Sequence, residues 1–389
     1  MVDSDAGLPA AWHALCTQLA ALGDELAARD ASTDDPAREF RHLSRQLVLA
    51  LQSEIEHGDP THPSFHRYEE PWTQWGGPNP DNVYTRAVID PTSTYRVTGT
   101  LAGVRLALFS LLEGDMHLGQ YGVFGEVASS DLTADADGTM ELWISPEPHE
   151  GNWLASHPDA RFLVIRQYQC DWEHDRIATF TIDRIDPPPD GPPTPTAADL
   201  TTALARAGTW IERSVEFWYE YVERARDALT HNAVAPPGTP KGGAPNIAYG
   251  AGWWDLDPDQ ILVIETDRPD ADYWGWTIHH RFRLDSGDFA NRQTSLNMTQ
   301  AYADEDGRIR VAVAALDPGV PNWIDTEGQP EGMLVYRSIG TRSRPVPHST
   351  VVRSAELRDH LPASHPVVDD ETRAEQLRRR RDAVLARYT

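Results

Sequence analysis

Asp135-Ala136-Asp137-Gly138, the β-prone run Met140 to Ile144, Asn152-Trp153-Leu154 and the apolar run Phe162-Leu163-Val164-Ile165-Arg166 recur later in the same order. The second copy reads Asp304-Glu305-Asp306-Gly307, Ile309 to Ala314, Asn322-Trp323-Ile324 and Met333-Leu334-Val335-Tyr336-Arg337. From glycine to asparagine is 14 residues in one copy and 15 in the other, and asparagine to arginine repeats those two spacings. Two matched intervals with matched chemistry indicate an internal duplication. Asp-Gly suits a tight turn with positive φ between antiparallel strands, whereas a calcium loop needs further oxygen ligands at set spacings. Asn-Trp is read as a loop anchor, with the indole filling a gap and the amide bonding to backbone. Arg166 and Arg337 each end an apolar strand, where a guanidinium is expected to meet a carboxylate or to hold an anionic or carbonyl oxygen.

Working outward, short β-prone runs at Tyr95 to Thr100, Val104 to Leu112 and Ala178 to Ile185 complete the first β region, and a second β-rich stretch runs from Ile261 to Val352. Leu8, Trp12, Leu15, Leu19, Leu22 and Leu26 alternate at spacings of four and three. After the Asp35-Pro36 cap, Phe40, Leu43, Leu47, Leu51 and Ile55 do the same, which predicts a helical hairpin. Residues 197–231 carry a broad apolar and aromatic face, and Thr372 to Tyr388 reads as a basic closing helix whose Arg378 to Arg381 run is a solvated or acid-paired face. Asp186 to Pro195 reads as a semi-rigid linker. The expected fold is mainly β with α decoration: two related antiparallel β-sandwich or jelly-roll-like units, an N-terminal helical hairpin, a long central helix and a C-terminal helix. The expected boundaries are 1–60 for the hairpin, 61–190 for the first β unit, 191–237 for linker and central helix, 238–355 for the second β unit and 356–389 for the tail.

The composition narrows the function. Among 389 residues, 34 Lys and Arg face 60 Asp and Glu, a net charge of −26 that repels phosphate backbones and anionic lipid, so nucleic acid and membrane are excluded as expected partners. Met1 to Asp5 shows no basic lead into an apolar core, and Leu101 to Leu112 is too short for a span and carries Arg105. A cytoplasmic protein is expected. Two cysteines are too few for a disulfide framework or a cysteine zinc site. No phosphate-cradling glycine loop, His-Glu-x-x-His or Gly-x-Ser-x-Gly occurs, and His279 and His280 on a strand face opposite ways. Neither cofactor nor metal is expected.

Two clusters are rich in chemistry. Gly76-Gly77-Pro78-Asn79-Pro80-Asp81-Asn82-Val83-Tyr84 fixes an unusual backbone and offers an acid, two amides and a phenol. Arg166-Gln167-Tyr168-Gln169-Cys170-Asp171-Trp172-Glu173 continues a strand, so Arg166, Tyr168 and Cys170 are expected on one face. Asp81 is the candidate proton-transfer carboxylate, Tyr84 a donor to substrate oxygen and Arg166 an electrostatic stabiliser. Asn79, Asn82, Tyr168, Trp172, Trp218, Tyr221, Trp276, His279, Asp325 and Arg337 are candidate substrate-binding residues, the last two being counterparts in the second copy.

At Gly77 to Tyr84, at Asn152-Trp153-Leu154 with Arg166-Gln167-Tyr168, and at Asp317-Pro318-Gly319-Val320-Pro321-Asn322-Trp323-Ile324-Asp325-Thr326, the chain resembles the bacterial family known as domain of unknown function 1214. The resemblance spans about residues 60 to 345. It implies antiparallel β-sandwich or jelly-roll units with helical decoration and supplies no catalytic residues.

The expectation is an enzyme using acid–base and electrostatic catalysis, of hydrolase, lyase, isomerase or cyclase type. Its substrate is a small, partly apolar metabolite in an aromatic-lined pocket where the two β units meet the central helix. The competing reading is a non-catalytic carbohydrate- or lipid-binding protein. A scaffold whose helices pair with partners is a third, and self-association into a homo-oligomer is compatible with all three.

Overall fold

The computed structural model describes residues 7–29, 36–189, 191–192, 194–239, 247–281 and 283–388. The lead Met1 to Asp5 and the cap at Asp35 lie outside them. In chain order the elements begin with helices α1 (Gly7–Ala27) and α2 (Pro36–Leu51), the latter running on into a π-helical turn, Gln52–Glu56. Strands β1 (His66–Glu69), β2 (Asn82–Val88), β3 (Tyr95–Thr100), β4 (Leu106–Leu112), β5 (Val123–Ala128), β6 (Thr139–Ser145), β7 (Trp153–Ala155), β8 (Phe162–Tyr168) and β9 (Phe180–Arg184) follow. Helix α3 (Ala197–Ala228) precedes β10 (Ile247–Asp255), β11 (Gln260–Asp267), β12 (Tyr273–His280), β13 (Ser295–Asn297), β14 (Arg308–Ala314), β15 (Trp323–Asp325), β16 (Glu331–Ile339) and β17 (His348–Arg353). Helix α4 (Asp370–Tyr388) closes the chain. Among the described residues no helix is long and apolar enough to cross a membrane.

The chain divides into two compact units. The first comprises residues 1–75, 83–168 and 176–218, and the second 76–82, 169–175 and 219–389. Each holds two sheets. In the first the orders are β1-β2-β8-β4-β5 and β7-β6-β3-β9, and in the second β10-β16-β12-β13 and β15-β14-β11-β17. Strand for strand, β2, β8, β4, β5 correspond to β10, β16, β12, β13, and β7, β6, β3, β9 to β15, β14, β11, β17. The registers correspond too: Arg166 lies opposite Leu108 on β4, and Arg337 opposite Gly275 on β12.

Alternation explains why each pair of sheets closes on itself. In the first unit Phe109, Leu111, Leu163 and Ile165 from one sheet meet Tyr95, Val97, Leu142 and Ile144 from the other in a single core. In the second, Trp274, Trp276, Ile278 and Leu334 meet Leu262, Ile264, Val311 and Val313. Burying one such side chain is worth about 1.5–3 kcal/mol. The hairpin turns repeat as read from sequence: Gly138 and Gly307 sit at φ +88° and +80°, and a Cβ at Gly138 would approach Ala102 to 2.8 Å.

The duplicated asparagines anchor identical loops. Asn152 donates to the carbonyls of Thr133 (2.7 Å) and Glu141 (2.8 Å) and accepts from the N–H of Thr133 (2.8 Å). Asn322 does the same with Tyr302 (2.7 Å), Arg310 (3.0 Å) and Tyr302 N–H (2.8 Å). Trp153 and Trp323 each donate an indole N–H back to the preceding strand, at Ser145 and Ala314.

Some expectations change. Strand β8 stops at Tyr168, so Cys170 does not share its face; its N–H is taken instead by Asp175 Oδ2 at 2.7 Å. Strand β10 begins at Ile247, ahead of the expected β stretch, because its Gly-Ala-Gly centre lacks branched residues, yet it pairs with β16 over its whole length. Trp12 and Phe40, read as part of the packed stripes, are 53% and 43% exposed. The Arg378 to Arg381 run is not uniformly a solvated or acid-paired face. Arg378 pairs with Glu375 and Asp382, and Arg379 with Glu173, but Arg380 is buried, as are Arg373 and Arg387 seven residues to either side.

Candidate functional site

The loop that enters β2 belongs to the second unit up to Asn82. Gly76 and Gly77 take φ +70° and +74°, and Asn79 closes the turn by accepting the Asp81 N–H on Oδ1 (3.1 Å) while its carbonyl accepts that of Asn82 (2.9 Å). This aims Asp81 inward. Its Oδ1 accepts from Trp172 Nε1 and Asn297 Nδ2, both at 2.7 Å, and its Oδ2 from the Tyr273 hydroxyl at 2.6 Å. Asn79 Nδ2 in turn donates to the Tyr273 oxygen at 2.8 Å. Burial raises the Asp81 pKa, and the three donors work against it.

Trp172 connects this network to a cleft. The indole lies between two guanidinium groups of α4, Arg387 at 4.0 Å and Arg380 at 4.4 Å from the ring centre. Arg387 donates to the Pro80 carbonyl (2.6 Å). Arg380 donates to the Phe289 carbonyl (2.7 Å) and Ser295 Oγ (2.6 Å), and burial pulls its pKa down to about 9.

Within the second unit a cleft of about 360 Å³ is lined by Trp172, Asp171, Glu173, His174, Arg379 and Arg380 among others; Asp81 is behind Trp172 and does not line it. His174 Nδ1 and Asp171 Oδ2 are 2.9 Å apart at the rim. Asp171 Oδ1 also accepts the backbone N–H of Glu173 (3.0 Å) and His174 (3.2 Å). Partial burial pushes the Asp171 carboxyl up, but these bonds outweigh it and hold the pKa below the ordinary value. Arg379 grips Glu173 with two bonds of 2.9 Å. With Nδ1–H given to a carboxylate, neutral His174 keeps its lone pair on Nε2, the arrangement of an oriented general base.

Other sequence candidates fall elsewhere. His279 is buried beside Ser286 Oγ (Nδ1, 3.2 Å) and Arg337 Nη2 (Nε2, 3.2 Å), and burial pulls its pKa well below the usual range. Of the two expectations for Arg337, a carboxylate partner or a held carbonyl oxygen, it is the second that occurs: its Nη2 meets the Gly77 carbonyl (2.9 Å) and that imidazole. Asp325 is buried against Arg292 at 2.9 Å. Trp276 packs on Tyr336 in the sandwich core, the counterpart of Phe109, and Tyr221 is 37% exposed on α3. Asn82 is buried at the start of β2.

Tyr84, Arg166, Tyr168 and Trp218 belong to the first unit. Tyr84 packs edge-on to Tyr68, Arg166 lies 3.5 Å from Ser110 Oγ, Tyr168 is buried, and Trp218 packs on Trp75. That unit also holds a buried polar group that the sequence reading missed. Arg86 binds Asp115 Oδ1 (2.9 Å) and Ser53 Oγ (3.0 Å) from the π-helical turn, between the rings of Tyr68 and Phe162, while Trp210 donates to Asp115 Oδ2 (2.7 Å). Burial works to raise Asp115, but Arg86, His117 and the Trp210 bond together outweigh it, and the net pKa is lowered.

Sequence reasoning also missed Tyr273, Asn297, His174, Arg380 and Arg387. The seven-residue spacing of Arg373, Arg380 and Arg387 was the available signal, since it marks one helix face. Among the described residues, no three His, Cys, Asp or Glu side chains are grouped to hold a metal ion.

Residues 117–171 match the model of a family described as "Protein of unknown function (DUF1214)". A crystal structure of a putative uncharacterized protein from Burkholderia cenocepacia is 31% identical, with a TM-score of 0.80 over 89% of this chain and 97% of that one. A second solved protein, from Vibrio parahaemolyticus, is 12% identical over 80% of this chain and 96% of its own, with a TM-score of 0.45. No curated protein matches the chain.

Proposed function

The chain belongs to the DUF1214 family, and from the geometry of its second unit we propose an enzyme that performs acid–base chemistry on a small, partly apolar metabolite. The observation that carries this reading is one cleft of about 360 Å³ combining the Trp172 indole with the His174–Asp171 pair. His174 moves the proton through Nε2, Asp171 fixes its tautomer, and the edge of Trp172 supports the apolar part of the ligand. Asp81 acts as a positioning residue through the indole N–H. Cys16 and Cys170 are both free thiols, which supports a cytoplasmic setting.

The test is a screen of small metabolites for ligand-dependent thermal stabilisation of the full chain, followed by turnover of each hit by His174→Ala and Asp171→Asn. The expected result is retained binding with turnover reduced by about 10²-fold or more for His174→Ala. Unchanged turnover would overturn the assignment. Because His174 is 79% exposed at the cleft rim, a non-catalytic carbohydrate- or lipid-binding role is the second reading. It is supported if hits bind and are never consumed.

A further inference from the structure

The two units share a hairpin but differ in what covers its outer face. In the second, Ala312 and Ala314 of β14 turn outward with Ile261, Val263 and Val352 beneath Leu357. The chain beyond then crosses the loop before β15: Arg358 donates to the Gly319 carbonyl (3.1 Å), as does the Val368 N–H (3.0 Å). This brings in His365, whose fully buried ring meets Tyr302 edge-on and whose Nδ1 lies 2.7 Å from Asp304 Oδ1.

In the first unit the same hairpin has Thr133 for Tyr302 and Asp135 for Asp304. Strand β9 leads into a proline-rich stretch and α3, with no counterpart of residues 354–368 among the described residues. A cavity of about 280 Å³ remains, lined by Thr133, Asp135, Glu141, Trp143, Glu150 and Asn152. Its charge also differs. Where the second unit has Arg310, paired with Asp304 (2.7 Å) and Asp306 (2.8 Å), the first has Glu141, approached only to 3.7 Å by Arg96. Trp143 already carries one imidazole, His149, stacked at 3.7 Å.

We propose that this cavity binds a protonated nitrogen heterocycle of imidazolium type, whose ring N–H meets Asp135 as His365 meets Asp304. The second unit shows the hairpin holding an imidazole from its own chain, while the first has the same acceptor, open space and two further carboxylates. An aromatic wall and an acid together select a flat cation over a metal ion or a neutral ring. This site is separate from the second-unit cleft and stands or falls independently of it.

The experiment titrates imidazole and methylammonium into the full chain at pH 6 by calorimetry and amide NMR. One saturable imidazole site is expected, weakened at least about tenfold in Asp135→Asn and unchanged in Asp131→Asn. His365→Ala should bind two imidazoles and regain thermal stability when imidazole is added. If that variant fails to fold, the wild-type and Asp135→Asn titrations decide the matter. No saturable imidazole binding, equal binding of methylammonium, or undiminished binding by Asp135→Asn would each overturn the proposal.

Discussion

Trp172 donates its indole N–H to Asp81 at 2.7 Å across 91 positions of sequence, and that bond ties the Pro-Asn-Pro loop to the turn that lines the second-unit cleft. Asn297 adds a second donor to Oδ1 and Tyr273 one to Oδ2, and the two guanidinium groups over the indole bring positive charge near the carboxylate.

Asp81→Asn therefore turns an N–H₂ group towards a donor, the Tyr273 hydroxyl or the Trp172 and Asn297 pair, at a fully buried position. A loss of about 3 kcal/mol is expected in urea unfolding, with a red shift in tryptophan emission as Trp172 loosens. Stability equal to wild type would show that the loop is held by other contacts.

Trp172→Phe keeps most of the ring between Arg380 and Arg387 but removes the donor. About 1–2 kcal/mol is expected to be lost, and the double variant with Asp81→Asn should lose less than the sum of the two. Strict additivity in that cycle would mean that the two side chains are not coupled.

The buried Arg86–Asp115 pair predicts a sharper result in the first unit. Arg86→Leu leaves Asp115 ionised without its main partner and should cost about 3–5 kcal/mol, whereas Arg86→Leu combined with Asp115→Leu should recover part of that loss. Thermal unfolding of both variants distinguishes a needed ion pair from a merely tolerated one.

His117, against Trp75 and Trp210, is pulled down to about 4, first by burial and then by Arg86, with Asp115 opposing. A histidine lowered in the folded state takes up its proton more readily when unfolded. Its contribution is thus fully present above about pH 6.5 and is lost as pH falls from there towards 4. The loss expected is on the order of 2–3 kcal/mol. Denaturation between pH 7 and 4 should be less pH-dependent in His117→Phe, and an unchanged slope would place the acid sensitivity elsewhere.

The twin loop anchors should not be equal in cost. Asn322 is fully buried and Asn152 is not, although each makes the same three bonds. Asn322→Ala should cost about 2–3 kcal/mol and Asn152→Ala about 1 kcal/mol in urea titrations, because water can repair only the exposed loop.

Periodicity and turn chemistry are local, so the sequence alone determined the helices, the strands Tyr95 to Thr100 and Phe162 to Tyr168, and the duplicated hairpins with their Asp-Gly turns and Asn-Trp anchors. It also determined that Asp81 and Trp172 sit in constrained polar loops. What it could not determine is what a polar side chain meets once strands distant in sequence are paired. Asn297 and Tyr273 reach Asp81 only because β12 and β13 are neighbours, and Arg380 is buried because α4 sets one face against Trp172 and Ser295. Two hairpins of like sequence likewise differ in environment because a tail covers one. Burial and hydrogen-bond partnership are properties of the packed chain, and only the tertiary structure decided them.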